Sequence, residues 1–301
     1  MNNPRIGFIG LGMMGHGMAA NLLRKGFPLA LKVNRDRSRL DDLLQGGARE
    51  CRTNAEVARG SDFVILCVAN STQVEDIVFG AEGIATAARD GLVVIDTSTS
   101  EPGSTARVRE ALAVRGTTYV DAPLARTPKE AEEGRLNSMV GADDATFARV
   151  KPVLAAFCEN VFHVGPPGAG HTLKLVNNFM ALTIAASIAE GFAVAARAGV
   201  KLDKLFEVVS QGALNSNIFQ MVAGGAVRGD LTRMKFSIVN AAKDVRYYNH
   251  LAESLPVASY IGAAVQQSYS QAVALGFGDR LLASMIEAQE KANNVKILER
   301  A

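Results

Sequence analysis

The chain has 301 residues, 48% of them hydrophobic and 21% charged, and a formal net charge of +2. That length exceeds one average domain and is enough to bury two cores. No Lys/Arg run forms a basic stripe, which argues against nucleic acid as a partner. Residues 1–5 carry no basic region leading into a signal core, which points to the cytoplasm. Cys51, Cys67 and Cys158 are widely separated and odd in number, as expected of buried thiols in a reducing compartment. His16, His163, His171 and His250 show no metal-ligand spacing, so no metal is expected.

In chain order, Ile6 to Ile9 is an apolar run of strand length, and Met18 to Leu23 has helical character. Between them Gly10-Leu11-Gly12-Met13-Met14-Gly15 spells G-x-G-x-x-G, in the strand-to-helix context that marks a dinucleotide-binding turn. Gly10 allows the tight turn, Gly12 lets the backbone approach a pyrophosphate, and Gly15 lets helix and strand pack closely. The phosphates would sit on free N–H groups at the helix N-terminus, so the whole turn is assigned to cofactor binding. The next strand, Leu29 to Val33, ends in Asn34-Arg35-Asp36-Arg37. A carboxylate here accepts from the ribose 2′-OH of NAD, whereas Arg accommodates the 2′-phosphate of NADP. Arg35, the first charge after the strand, favours NADP with Asn34 beside it. A shift of one residue would make Asp36 the reader, which leaves NAD open.

Further apolar runs at Phe63–Val68, Leu92–Ile95, Thr118–Val120, Ser138–Val140 and Val161–Val164 alternate with helical segments, which argues for βα units and a mostly parallel sheet. After Gly165-Pro166-Pro167-Gly168 strand signals almost vanish. Helical segments follow at Thr172–Ala198, Asp203–Gln211, Phe236–Glu253 and Ala258–Leu275. Asp203 reads as an N-cap, and Gly199 and Gly276 as helix ends. The most apolar helical stretch, Phe179 to Ala189, is broken by Thr183 and Ser187 and followed by Glu190. It reads as too short and too polar to span a bilayer. The expected architecture is an α/β Rossmann-type dinucleotide-binding domain, residues 1–165, followed by an all-α domain, residues 166–301.

At the junction, GAGHTLKLVNN (residues 168–178) places Lys174 three and four residues before Asn177 and Asn178. Such spacing puts an ammonium and two carboxamides on one helical face. A Lys can exchange a proton when its pKa is lowered, and an amide can hold a carbonyl or carboxylate without carrying charge. The alternative is a solvated Lys beside amide caps.

GFIGLGMMGHGMAANLL, IDTST, DAPL, GPPGAGHTLKLVNN and AAKD, in this order and spacing, resemble the β-hydroxyacid dehydrogenase family over nearly the whole chain. That family includes 3-hydroxyisobutyrate dehydrogenase and tartronate semialdehyde reductase. The resemblance implies NAD(P)-dependent interconversion of a small acid's primary alcohol with its aldehyde. It makes Lys174 the catalytic acid/base and sets Asn178 on the substrate; from the chemistry, either Asn177 or Asn178 would fix the substrate's geometry. It lines the cofactor and substrate cleft with Thr99 and Lys243, and Ser98 of the same IDTST segment falls on the substrate side. It also implies a homodimer or homotetramer formed through the helical domain.

The family's usual DAPVSGG segment reads here Asp121-Ala122-Pro123-Leu124-Ala125-Arg126-Thr127. An Arg-Thr pair is similar to the branch containing sulfolactaldehyde reductase, in which Arg recognises a sulfonate. A guanidinium fork can bind two oxygens of such an anion, so Arg126 and Thr127 are expected to face substrate. The alternative is an Arg126 turned outward, or paired with Glu130 or Glu133. Reduction of another carbonyl or an imine, and a non-enzymatic dinucleotide-binding module, are the competing functions.

Overall fold

A computed structural model describes residues 3–33 and 37–298. The chain divides into two compact units, Met1–Lys174 and Leu175–Ala301. Asn34 and Arg35, the residues read as selecting the cofactor, lie outside the described residues.

The first unit is built on β1 (Ile6–Ile9), β2 (Leu29–Lys32), β3 (Arg49–Glu50), β4 (Phe63–Leu66), β5 (Val93–Asp96), β6 (Thr118–Asp121), β7 (Leu124–Ala125), β8 (Leu136–Gly141) and β9 (Cys158–Gly165). They form one sheet in the order β3-β2-β1-β4-β5-β6-β8-β7, with β9 beside β8. Strands β1 to β6 pair in parallel. Strand β8 runs antiparallel to β6 and β7 and parallel to β9. The connecting helices are α1 (Gly15–Arg24), α2 (Asp41–Gln45), α3 (Asn54–Arg59), α4 (Ser71–Phe79), α5 (Pro102–Ala113), α6 (Pro128–Glu133) and α7 (Asp144–Leu154).

The central strands are buried throughout because helices cover both faces of a parallel sheet. Alternate residues go to opposite faces. Phe8, Ile65 and Ile95 join Leu22 of α1 in one core, while Ile9, Val64, Leu66 and Val94 join Val108 and Leu112 of α5 in the other. Each such side chain removed from water stabilises the fold by roughly 1.5–3 kcal/mol.

Strand register aligns the carboxyl edge. Ile9 pairs with Leu66, Leu66 with Asp96, Asp96 with Asp121, and Asp121 with Gly141. The sheet order reverses between β1 and β4. In open α/β sheets, ligands bind outside the strand carboxyl ends at such a switch point.

Helix α8 (Ala169–Arg197) carries the chain from the first unit into the second. Helices α9 (Leu202–Ser210), α10 (Asn217–Val227), α11 (Ile238–Ser254), α12 (Tyr260–Ala272) and α13 (Met285–Asn293) follow. Gly199 at φ +79° and Gly276 at φ +91° end helical runs as expected. Asp203 is not the N-cap of α9. Lys201 is still extended, the helix opens at Leu202, and the Asp203 carboxylate accepts from the Lys204 N–H at 2.9 Å within the first turn. Helix α8 is also longer than the apolar stretch read from the sequence. Its 29 residues are enough in length and composition to cross a membrane. Leu182, Ala185, Ala189 and Phe192 instead pack with Phe219, Val245 and Tyr269 in the core of the second unit.

Candidate active site

Gly10, at the end of β1, has φ +107°, and a Cβ there would lie 2.2 Å from the Cys67 carbonyl oxygen at the end of β4. At Gly15 a Cβ would lie 1.9 Å from the Gly10 carbonyl oxygen. Both positions are closed to side chains by the turn itself. Gly12 differs, since a Cβ there meets nothing within 4 Å. Its lack of a side chain serves open space, as a backbone that approaches a pyrophosphate requires. Leu11 and Met14 are half-buried and Met13 is exposed. Helix α1 has Met14 as its N-cap, which makes no side-chain cap hydrogen bond, and a helix start of this kind suits an anion. These features fit a bound dinucleotide.

His16, one residue past Gly15, is a feature the sequence reading missed. Its Nδ1 lies 2.8 Å from Glu132 of α6 and its Nε2 2.8 Å from Asp42 of α2. Burial opposes protonation, but the two carboxylates outweigh it and hold His16 above the ordinary histidine pKa. Arg37 is bound at 2.7 and 2.9 Å to both oxygens of Glu50 on β3.

The aligned edge also organises the loop that follows β5. Asp96, which is 0% exposed, accepts from the Ser98 N–H at 2.9 Å, the Ser100 hydroxyl at 3.0 Å and the Tyr119 hydroxyl at 2.6 Å. Burial and the adjacent Asp96 carboxylate push the Tyr119 phenol well above its usual pKa, so it stays a donor. The Ser98 hydroxyl in turn accepts from the Val68 N–H at 3.0 Å, and Thr99 beside it is half-buried. Asp121, 1% exposed, accepts from the Gly168 N–H at 2.7 Å and the His171 N–H at 3.0 Å. It therefore caps α8 from a neighbouring strand. Lys174 follows His171 by three residues and is half-buried.

Arg126 and Thr127 serve the turn. Arg126 has φ +83°, a left-handed conformation that suits the Gly of the DAPVSGG pattern at this position. Its Nη1 donates to the Arg135 carbonyl at 2.6 Å and to Glu159 of β9, whose carboxyl it holds below the usual range. The carboxylate partner is thus Glu159, not Glu130 or Glu133. Thr127 is the N-cap of α6. Its N–H donates to Glu130 at 3.0 Å, and its hydroxyl donates to the same carboxylate.

In the second unit, Asn177 is exposed and its side-chain amide donates to Oδ1 of Asn178 at 3.3 Å. Asn178 donates to Asp244 at 2.6 Å. Lys243, 13% exposed, places its Nζ 3.1 Å from the other oxygen of Asp244. Asp244 is 1% exposed and orients both residues. The sequence reading stopped at Lys243. The signal for Asp244 was its place in AAKD, next to a charge on an otherwise buried helical face.

A dinucleotide turn at the switch point of a parallel sheet, with a Lys-bearing helix capped from the same sheet edge, defines an NAD(P)-binding oxidoreductase. Residues 5–165 match the NAD-binding domain of 6-phosphogluconate dehydrogenase, and residues 168–288 match the NAD-binding domain of NADP-dependent 3-hydroxyisobutyrate dehydrogenase. The chain is 30% identical to 2-(hydroxymethyl)glutarate dehydrogenase of Eubacterium barkeri over 298 residues, 97% of each chain. It is 32% identical to 3-sulfolactaldehyde reductase of Escherichia coli over 284 residues, 94% of each chain. The crystal structure of a 3-hydroxyisobutyrate dehydrogenase from Salmonella typhimurium superposes with a TM-score of 0.82 at 29% identity, covering 95% of this chain and 99% of that one. The chain belongs to the β-hydroxyacid dehydrogenase family, whose members are NAD(P)-dependent hydroxyacid dehydrogenases and semialdehyde reductases.

Proposed function

We propose that the protein interconverts a small anionic semialdehyde and its primary-alcohol hydroxyacid, with a sulfolactaldehyde-type substrate as the leading candidate and NADPH as the preferred cofactor. The observation that carries this reading is the attachment of the Lys174 helix to the sheet edge. Asp121 caps that helix, while its register neighbour Asp96 holds the Ser98 loop. Lys174, the residue we assign as proton donor, thus lies on a helix capped from the same sheet edge that carries the cofactor turn.

When bound, the cofactor supplies or accepts the hydride. Lys174 donates a proton to the oxygen that gains negative charge, and in the reverse direction its neutral amine takes that proton back. Asn178, oriented by Asp244, binds substrate with Asn177 beside it, and Lys243 and Thr99 contact cofactor or substrate. Ser98 presents its loop to the substrate. The hydrogen bonds of Arg126 to described residues use Nη1, so recognition of the substrate anion falls to the rest of its guanidinium fork. Arg35 would read the 2′-phosphate. A dimeric or tetrameric assembly in the cytoplasm belongs to the same proposal.

The test is a panel of small sulfonate-, carboxylate- and neutral-tailed aldehydes assayed with NADPH and with NADH. Faster turnover of anionic aldehydes with NADPH supports the reading. A preference for neutral aldehydes removes the anionic substrate class, and a several-fold preference for NADH removes the cofactor choice.

A further inference from the structure

His171 is fully buried, one helical turn before Lys174, and no step above uses its ring. The ring lies between helix α5 and the sheet edge. Its Nδ1 is 2.6 Å from the Thr105 hydroxyl of α5, whose one proton goes either to Nδ1 or to the Glu101 carbonyl at 3.1 Å. Its Nε2 makes no hydrogen bond among the described residues and lies 3.7 Å from the Asp96 carboxylate on β5. Of the two neutral tautomers, the one with its proton on Nε2 turns a donor toward the Asp96 carboxylate and lets Nδ1 accept from the Thr105 hydroxyl. Asp121, on β6, engages the backbone of the same residue, and the Tyr119 hydroxyl donates to Oδ2 of Asp96, the oxygen that faces Nε2.

Asp96 is therefore shared. One oxygen faces His171 from α8, and the carboxylate also holds the Ser98 N–H and the Ser100 hydroxyl of the loop. Residues three apart on a helix are neighbours, so the side chain that sets His171 also sets the turn presenting Lys174. We propose that His171, through Asp96, is a positioning residue that fixes the Lys174 amine relative to the Ser98–Thr99 loop. A purely structural His would need only to fill its space. This one instead joins the two segments that flank the reacting atoms in the proposed reaction, and the inference rests on that reading.

A catalytic group misplaced by about 1 Å costs on the order of 10²-fold in rate. His171→Phe keeps a planar ring and removes both nitrogens. His171→Gln retains a donor. Melting temperature, NADPH affinity, kcat and KM are measured for both variants and for Asp96→Asn. In parallel, the rate of Lys174 acylation by an amine reagent is followed by peptide mass spectrometry.

The expected result is a 10- to 100-fold fall in kcat for His171→Phe, with NADPH affinity and KM within about threefold of wild type. Most of that activity should return in His171→Gln, and the Lys174 acylation rate should change in His171→Phe. A kcat within about threefold of wild type, or a fall matched by equal loss of NADPH binding, overturns the proposal. Should His171→Phe not fold, Asp96→Asn decides: a tenfold or greater loss of kcat with NADPH affinity retained supports it, and unchanged kcat overturns it. Should wild type turn over no aldehyde, the functional reading falls and acylation alone decides. An acylation rate unchanged in the folded variants then sinks the positioning role.

Discussion

Replacing Gly12 by Ala adds one methyl group to a turn that has room for it in the protein and none in the complex with a dinucleotide. The added Cβ meets no protein atom within 4 Å, and Gly12 is not in the left-handed region, so the folded chain accepts Ala without strain. Loss of unfolded-state freedom should even stabilise it by about 0.4–1 kcal/mol. The same methyl at Gly15 would overlap the Gly10 carbonyl, and that variant should lose about 1–3 kcal/mol of stability or more. Cofactor binding inverts the order of damage. Ala at position 12 pushes the pyrophosphate off the turn and weakens a charge-assisted hydrogen bond worth about 1.5–3 kcal/mol, or roughly 10- to 150-fold in affinity. Thermal melting with and without NADPH, together with fluorescence titration of NADPH, separates the two effects. A Gly12→Ala protein that binds NADPH within threefold of wild type would refute the assignment of this turn to the phosphates.

Arg126→Ala should lower kcat/KM for an anionic aldehyde by roughly 30- to 150-fold and for a neutral aldehyde of similar size much less. Equal losses for both would reduce Arg126 to its contacts with Glu159 and Arg135. Asp244→Asn should raise KM and lower kcat by leaving Asn178 and Lys243 without their shared carboxylate, while NADPH affinity of the first unit's turn holds. Unchanged steady-state constants would remove Asp244 from the site. The His16 clamp gives a signed pH dependence. Because His16 titrates above its ordinary value of 6.5, its contribution to stability is complete below that pH and is lost as pH rises through the raised folded-state value. Asp42, held below its ordinary 3.8, keeps its share until pH falls through the lowered value. The melting-temperature gap between wild type and His16→Gln should therefore shrink as pH rises above neutrality. A gap that widens would contradict the clamp.

The parallel strands and the phosphate turn were legible because their signals are local. Apolar runs bounded by turn residues mark β1, β4 and β5, and three glycines at fixed offsets mark the turn. Two-residue strands such as β3 and β7 carry no run to read, and their pairing is decided by neighbours. The helical segment was read from Thr172, whereas α8 starts at Ala169, with no Ser, Thr or Asp just before it to mark the start. Its cap is Asp121, contributed by β6 far back in the chain. IDTST and DAPL each show an Asp, but only strand register sets Asp96 beside Asp121. Arg126 was read against the nearest acids, Glu130 and Glu133, whereas the sheet brings Glu159 to it. In each case the missing information is a pairing between distant segments, which composition and spacing do not encode.

The central claim is hydride transfer assisted by Lys174, and single-turnover spectrophotometry of wild type and Lys174→Ala with NADPH and a small anionic semialdehyde tests it most directly. The account predicts consumption of NADPH by wild type. It predicts a rate lower by about 10²–10⁴ in the variant, with NADPH affinity and melting temperature preserved. Turnover of Lys174→Ala within a factor of about three of wild type, or no NADPH consumption by wild type with any anionic semialdehyde, would contradict it.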